Sequence, residues 1–143
     1  MPWVVNVSGS NVSFDESLTH ETYQNLRQMG IPSLFDALMH PYAFAIAQRK
    51  RARWWELNGD YDPQDDWAQL NVPTLVIYGR EDERDNVPVQ DSIDRFNALG
   101  RDNIHIDVHE NVGHGLFDRA RRIVPAVLER VAEWPIRPQS ISL

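Results

Sequence analysis

The spacing of hydrophobic positions changes along the chain between the period of a strand and that of a helix. Residues 2–8 (Pro-Trp-Val-Val-Asn-Val-Ser) are rich in β-branched and aromatic side chains and precede Gly9, so they predict a first strand. Residues 72–79 are apolar on both faces, which is typical of a strand buried inside a parallel sheet. Residues 104–109 alternate strictly between apolar and polar, which predicts a strand with one face in solvent.

The segment between the first two predicted strands has a helical pattern. A capping box at 13–16 begins a helix, and its apolar positions recur at helical spacing until Gly30. Pro32 suits the first position of a second helix, which Pro41 is expected to kink or end. A third helix is predicted over 42–57. Residues 11–60 are therefore expected to be mostly helical.

Two further helices follow the second and third strands. One begins at Pro88 and ends at Gly100, and the last lies between Pro125 and Pro135. Because strands and helices alternate in this way, the sequence predicts an α/β fold with about three parallel strands and flanking helices, joined by right-handed crossovers.

Composition and charge narrow the function classes. The chain has 143 residues with 14 basic and 21 acidic side chains, a net charge of −7 that argues against general nucleic-acid binding. It has no Cys, which excludes a thiolate nucleophile and Cys-ligated metals. No apolar run approaches the roughly 20 residues of a membrane span, and no signal peptide is recognisable at the start. We therefore expect a cytoplasmic protein without a membrane partner.

Candidate chemistry lies in two loops that each follow a predicted strand. Residues 78–88 are rich in carboxylates, and residues 110–117 hold His114 between two glycines. Open α/β sheets place their sites at the carboxyl ends of strands. A carboxylate on one loop would hold the imidazole on the next in one tautomer, so that the histidine acts as a general base.

These loops resemble a known family. The run Val72-Pro73-Thr74-Leu75-Val76-Ile77-Tyr78-Gly79 with Asp82, then Val87-Pro88, then Gly113-His114-Gly115, is similar to the C-terminal half of α/β-hydrolases of the esterase and prolyl-oligopeptidase-like branch. The resemblance implies a partial α/β-hydrolase fold over 1–143, with the first strand as the family's sixth and a helical cap inserted over roughly 11–60. It also implies that Asp82 is the acid and His114 the base of a Ser–Asp–His triad, which needs no cofactor. The substrate would be a small ester or peptide.

The position of the acid has one alternative. The family usually has about two fewer residues between its acid and the Val-Pro pair, so counting back from Pro88 favours Asp85. The end of the strand fixes the position more firmly than the following helix, because loops absorb insertions easily. We therefore predict Asp82.

The nucleophile of that family is missing from the sequence. No Gly-x-Ser-x-Gly elbow occurs, and Ser8 and Ser10 are flanked by the bulky Asn6 and Val12 where the elbow needs small residues. Three functions follow as alternatives. The chain is an inactive hydrolase portion, or it completes a nucleophile on another polypeptide, or it is a non-enzymatic binding module.

Three other features have less specific interpretations. His105, Asp107 and His109 alternate on one strand and have the spacing of metal ligands, but the solvent face of an edge strand accounts for them better. The basic run 49–53 is interpreted as solvated surface rather than a nucleic-acid patch. Trp54, Trp55 and Trp67 either line a pocket or pack the cap against the sheet, and the sequence does not distinguish these.

The first strand also predicts a partner. Within the family it would lie between two strands, and only one of them is present here. Trp3, Val5 and Val7 would therefore lie on an open apolar edge. We expect residues 2–8 to pair with a second chain, most simply across a two-fold axis in a homodimer.

Overall fold

The computed structural model describes residues 2–50, 52–84, 87–118, 120 and 122–134. The elements, in chain order, are β1 (Val4–Val7), α1 (Phe14–Gln28), a 3₁₀ turn (Ser33–Phe35), α2 (Asp36–Lys50), α3 (Ala52–Asn58), α4 (Gln64–Gln69), β2 (Thr74–Gly79), a 3₁₀ turn (Arg80–Arg84), α5 (Val89–Ala98), β3 (Ile104–His109), a 3₁₀ turn (His114–Leu116) and α6 (Pro125–Glu133).

The three strands form one parallel sheet in the order β1–β2–β3. Val5 pairs with Leu75, and Ile77 pairs with both Val7 and Asp107. All three carboxyl ends therefore lie at the same edge of the sheet. This arrangement confirms the predicted α/β class with three parallel strands and flanking helices.

The central strand β2 has a hydrophobic core on each face, as its apolar sequence predicts. Leu75 and Ile77 pack on one face against Val127 and Trp134, which belong to α6 and its C-terminal cap. The opposite-facing side chains join a second cluster with residues of α5 and the apolar positions of β3; its members are Val76, Tyr78, Val87, Val89, Phe96, Ile93, Ile104, Ile106 and Val108. Because both faces are covered, the site at the end of β2 is carried on a rigid strand.

The helix α1 begins as predicted. Ser13 accepts a hydrogen bond from the Glu16 amide, and the Glu16 carboxylate accepts one from the Ser13 amide, so both halves of the capping box are present. Gly30 follows the helix with a φ of +77°, a conformation that glycine adopts without a steric penalty.

The predicted helix boundary at Pro41, with a separate helix over 42–57, was wrong. Pro41 lies inside α2, which continues to Lys50, and the following helix α3 is short. Pro32 precedes a 3₁₀ turn that leads directly into α2. The proline removes one hydrogen bond to a carbonyl four residues back, and it lies at an exposed position where water can hydrate that carbonyl.

The outer strand β3 is less exposed than predicted. His105, Asp107 and His109 were expected on a solvent face, but all three are half-buried. The Arg130 side chain of α6 donates to Asp107 at 2.5 Å, and the His105 ring contacts Trp134. Helix α6 therefore covers this face. Within the described ranges, no group of three histidine or carboxylate side chains has the geometry of a metal site.

Two of the tryptophans pack against other aromatic rings, whereas the described part of the basic run lies at the surface. Trp67 packs on Phe96 beside the sheet, which makes it a packing residue. Trp54 contacts Phe14 of α1 edge-on and remains 39% exposed. Arg49, Lys50 and Arg53 are exposed, while the side chain of Arg51 lies outside the described residues.

Candidate active site

The two predicted loops come together at the carboxyl ends of β2 and β3. Asp82 lies in the 3₁₀ turn after β2, and His114 begins the turn after β3. The Nδ1 atom of His114 is 3.4 Å from the Oδ1 atom of Asp82. This separation is within ion-pair distance and longer than a strong hydrogen bond.

The glycine at the end of β2 permits this approach. A Cβ atom added to Gly79 would lie 2.2 Å from the carbonyl oxygen of Val112, which is closer than any side chain can tolerate. Two residues further on, the Glu81 amide donates to that same carbonyl at 2.9 Å. The loop that carries Asp82 and the loop that carries His114 are therefore joined by a backbone hydrogen bond, which fixes the distance between the two residues.

The loop that carries His114 is anchored by a backbone hydrogen bond and by a buried leucine. The Gly113 amide donates to the Phe117 carbonyl at 2.8 Å, and Leu116 is buried in the core on the α6 side of the sheet. Gly115 has a φ of +73°, which a side chain would strain. This tight turn leaves the His114 side chain 57% exposed while its Nδ1 edge faces the carboxylate.

The carboxylate of Asp82 has no exposed surface. The Ser8 hydroxyl, at the end of β1, donates to its Oδ2 atom at 2.7 Å. The two oxygens thus face different partners, with Ser8 at Oδ2 and His114 at Oδ1. Because a buried carboxylate is costly unless it accepts hydrogen bonds, these contacts stabilise it where it lies.

The helical segment supports the carboxylate loop from the side. His20 of α1 donates from Nε2 to the Glu83 carbonyl at 2.9 Å, and Gln28 donates to the Arg84 carbonyl. The Glu83 carboxylate in turn accepts from the Gln90 amide at the start of α5. The loop that carries Asp82 is therefore held between α1 and α5.

The tyrosine at the end of β2 holds the turn that contains Ser8. The Tyr78 hydroxyl donates to the Gly9 carbonyl at 2.7 Å, and its ring is fully buried. Burial raises the pKa of the Tyr78 hydroxyl far above its usual value, and the nearby charge of Asp82 adds to the increase. A hydrogen bond with Ser92 lowers the pKa but does not offset these effects. The hydroxyl therefore stays protonated and remains a donor over the whole physiological pH range.

Sequence reasoning predicted Asp82 and His114 but assigned no role to Ser8. The residue was weighed only as a nucleophile, and in the structure its hydroxyl donates to Asp82. A left-handed serine at a strand end leaves no pattern in the sequence, so only the packing shows this contact. Asp85, the alternative acid, lies outside the described residues.

The arrangement can hold a neutral imidazole with its proton on Nδ1 and its Nε2 lone pair toward solvent. Among the described residues, no serine hydroxyl makes a hydrogen bond to the His114 ring. No described helix is long and apolar enough to cross a membrane.

Comparison with known proteins gives no relative. No family model, no curated protein and no solved structure matches the chain. The class that the residues define is thus an α/β protein with a buried carboxylate and an exposed histidine at the end of a parallel sheet.

Proposed function

We propose that the chain supplies the acid and the base of a Ser–Asp–His triad in a serine hydrolase that cleaves ester or peptide bonds. The observation that carries the proposal is the position of the Asp82 Oδ1 atom, 3.4 Å from Nδ1 of the exposed His114. A fully buried carboxylate beside one nitrogen of an accessible imidazole is the arrangement that general-base catalysis requires. The resemblance of both loops to α/β-hydrolases points to the same reaction.

In this function Asp82 fixes the tautomer and orientation of His114. The Nε2 atom accepts the proton of a serine hydroxyl as that oxygen attacks the carbonyl carbon of the substrate. The same proton then passes from Nε2 to the leaving group, and a water molecule repeats the sequence to release the acyl group. Asp82 stabilises the imidazolium that forms and remains unprotonated throughout.

The serine itself is proposed to come from outside this chain. The sequence has neither the Gly-x-Ser-x-Gly elbow nor a cysteine that would replace it. Ser8 is 8% exposed and donates to the acid, so it is poorly placed to attack a substrate. We therefore expect no turnover from this chain alone and activity only when a nucleophile is brought to Nε2 of His114.

Fluorophosphonate labelling tests this proposal. The chain alone should form no serine adduct, as read by intact mass. Mixed with a polypeptide that carries a strand, Gly-x-Ser-x-Gly elbow and helix, it should support labelling of that elbow serine. Replacing His114 by Ala should lower the labelling rate by about 10³-fold or more, since triad members act as a unit.

The matched control is His109→Gln. His109 is the last residue of β3, the strand that precedes the turn with His114, and it lies outside the Asp82–His114 pair. This substitution should leave labelling unchanged. An adduct on Ser8 of the isolated chain, or elbow labelling that persists after His114→Ala, would contradict the proposal.

A second candidate function is a non-enzymatic binding module, and one surface favours it. Leu34, Leu38, Tyr42 and Ile46 recur every four residues along the 3₁₀ turn and α2, and each is more than half exposed. An apolar stripe of this kind is typical of an interaction surface. If this surface carries the function, Leu38→Asp would abolish partner binding and Asp82→Asn would leave it intact. The hydrolase proposal predicts that Asp82→Asn abolishes the activity and Leu38→Asp leaves it intact.

A further inference from the structure

We infer that Ser8 is a positioning residue that holds the Asp82 carboxylate in the plane in which its Oδ1 atom meets His114. The inference rests on the proposed function and extends it to a residue that is 74 positions away in the sequence. Three observations carry it: the contact between the two side chains, the backbone conformation of Ser8 and the way its turn is held.

The contact is short and shielded from water. The Ser8 hydroxyl donates to Oδ2 of Asp82 at 2.7 Å, Ser8 is 8% exposed and Asp82 is 0% exposed. A carboxylate can rotate about its last side-chain bond, and rotation would move Oδ1 away from His114. A donor fixed on Oδ2 opposes that rotation, because turning the group would break a hydrogen bond that water cannot replace.

The backbone of Ser8 has an unusual conformation. Its φ is +51°, in the left-handed region that is sterically unfavourable for a non-glycine residue. The next residue, Gly9, would adopt such a conformation more easily, so local preference does not place the strain on Ser8. The conformation directs the hydroxyl to the neighbouring strand end, where Asp82 lies.

The turn after β1 is held by the strand that leads to the acid. Ser8 donates its amide to the Ile77 carbonyl at 2.9 Å, and the Tyr78 hydroxyl donates to the Gly9 carbonyl at 2.7 Å. A Cβ on Gly9 would collide with the Asn6 side chain, which itself donates to the Gly9 carbonyl. Ser8 and Gly9 are thus both held against β2, and this places the Ser8 hydroxyl beside Asp82.

The role has a consequence for His114. With Ser8 in place, Oδ1 lies 3.4 Å from Nδ1 and favours the tautomer with the proton on Nδ1 and a free Nε2. Without the hydroxyl, the carboxylate loses the donor at Oδ2, and the proton is expected to move in part to Nε2, where it would block general-base action. Ser8 would therefore act through Asp82 and touch neither substrate nor the reacting atoms.

The test uses Ser8→Gly, because glycine accepts the left-handed backbone and lacks only the hydroxyl. Long-range ¹H–¹⁵N spectra of the folded chain report the tautomer of His114. We expect the ratio of the Nδ1–H to the Nε2–H form to fall about tenfold in Ser8→Gly, the size expected for a hydrogen bond to a charged group. Ser8→Ala should give the same tautomer ratio with lower stability, since alanine keeps the strained φ.

The control is Ser10→Gly, since among the described residues the Ser10 hydroxyl accepts from the Val12 amide and makes no hydrogen bond to Asp82. It should leave the ratio unchanged. A wild-type His114 in the Nδ1–H form with no change in Ser8→Gly would overturn the inference and leave the proposed function standing. A wild-type His114 in the Nε2–H form would overturn the proposed function itself.

Discussion

At the scale of single residues, Arg95 joins three parts of the molecule. Its guanidinium, on α5, contacts both oxygens of Glu16 in the first turn of α1 and both oxygens of Asp62 before α4, all between 2.8 and 3.0 Å. Partial burial works to raise the pKa of both carboxyls. It is outweighed at Glu16 by hydrogen bonds from Ser13 and the charge of Arg95, and at Asp62 chiefly by the hydrogen bond from Arg95, so both pKa values lie below their usual range.

The lowered pKa values make the contribution of Arg95 depend on pH. A carboxyl with a depressed pKa in the folded state adds stability above its unfolded pKa, and that stability is lost as pH falls through the folded value. We expect Arg95→Gln to lower the free energy of unfolding by about 1 kcal/mol at pH 7, a modest value because both carboxylates are partly exposed. Toward pH 2, as the two carboxyls take up protons, the difference should shrink.

Urea denaturation at the two pH values measures this. Arg122→Gln is the control. Its ion pair with Asp118 is local and largely exposed, so the substitution should lower the free energy of unfolding only slightly. An equal destabilisation by Arg95→Gln at both pH values would show that the side chain acts through packing and not through charge.

The candidate site could be predicted from the sequence only where strand ends determined it. A buried strand fixes where its loop begins, so the two loops follow from strand ends, whereas the choice of Asp82 and His114 within them rested on the resemblance to α/β-hydrolases. Whether they form a catalytic pair remains a prediction. The contact of Ser8 was not predictable, because it depends on a backbone conformation and on the register between β1 and β2, and neither has a local signature.

At the scale of elements, the strand β1 has a free side. Within the described residues it pairs only with β2. The amides of Val4 and Ser8 donate to carbonyls on the β2 side, so by the alternation of a strand the amides of Val5 and Val7 face outward. Val7 is 39% exposed. Such an edge is a template for a further strand.

We propose that a second copy of the chain pairs with this edge across a two-fold axis. Sedimentation equilibrium at micromolar concentration should then give twice the mass of the chain. Val7→Pro removes an outward amide without touching the ladder to β2 and should give a monomer. Val7→Thr keeps that amide and should remain a dimer, whereas a monomeric wild-type chain would contradict the pairing.

The helical segment shows which element features the sequence predicts well. The start of α1 follows from a capping box that is satisfied locally within four residues. The end of the next helix does not follow from Pro41, because contacts such as the stacking of His40 on Tyr23 of α1 hold α2 in place across the proline. Local signals predicted the first feature, while tertiary packing decided the second.

At the scale of the whole molecule, the arrangement of layers followed from the sequence. The apolar runs and the alternation of strands with helices predicted one parallel sheet with helices, and the structure has α5 on one face and α6 on the other. The cover over β3 was not predicted, because alternation along a strand does not show whether a distant helix lies on its polar face. Arg130 and Trp134 of the last helical segment form that cover.

The whole-molecule account depends on one relation, namely that the buried Asp82 holds the exposed His114 as a base with a free Nε2. The tautomer of His114, read from long-range ¹H–¹⁵N spectra at about pH 9, tests it most directly. The chain has five histidines, and His114→Ala assigns the signal. The account predicts the Nδ1–H form in the wild type and a shift to the Nε2–H form in Asp82→Asn, which keeps the shape of the side chain but not its charge. An Nε2–H form in the wild type, or a tautomer that Asp82→Asn leaves unchanged, would contradict it.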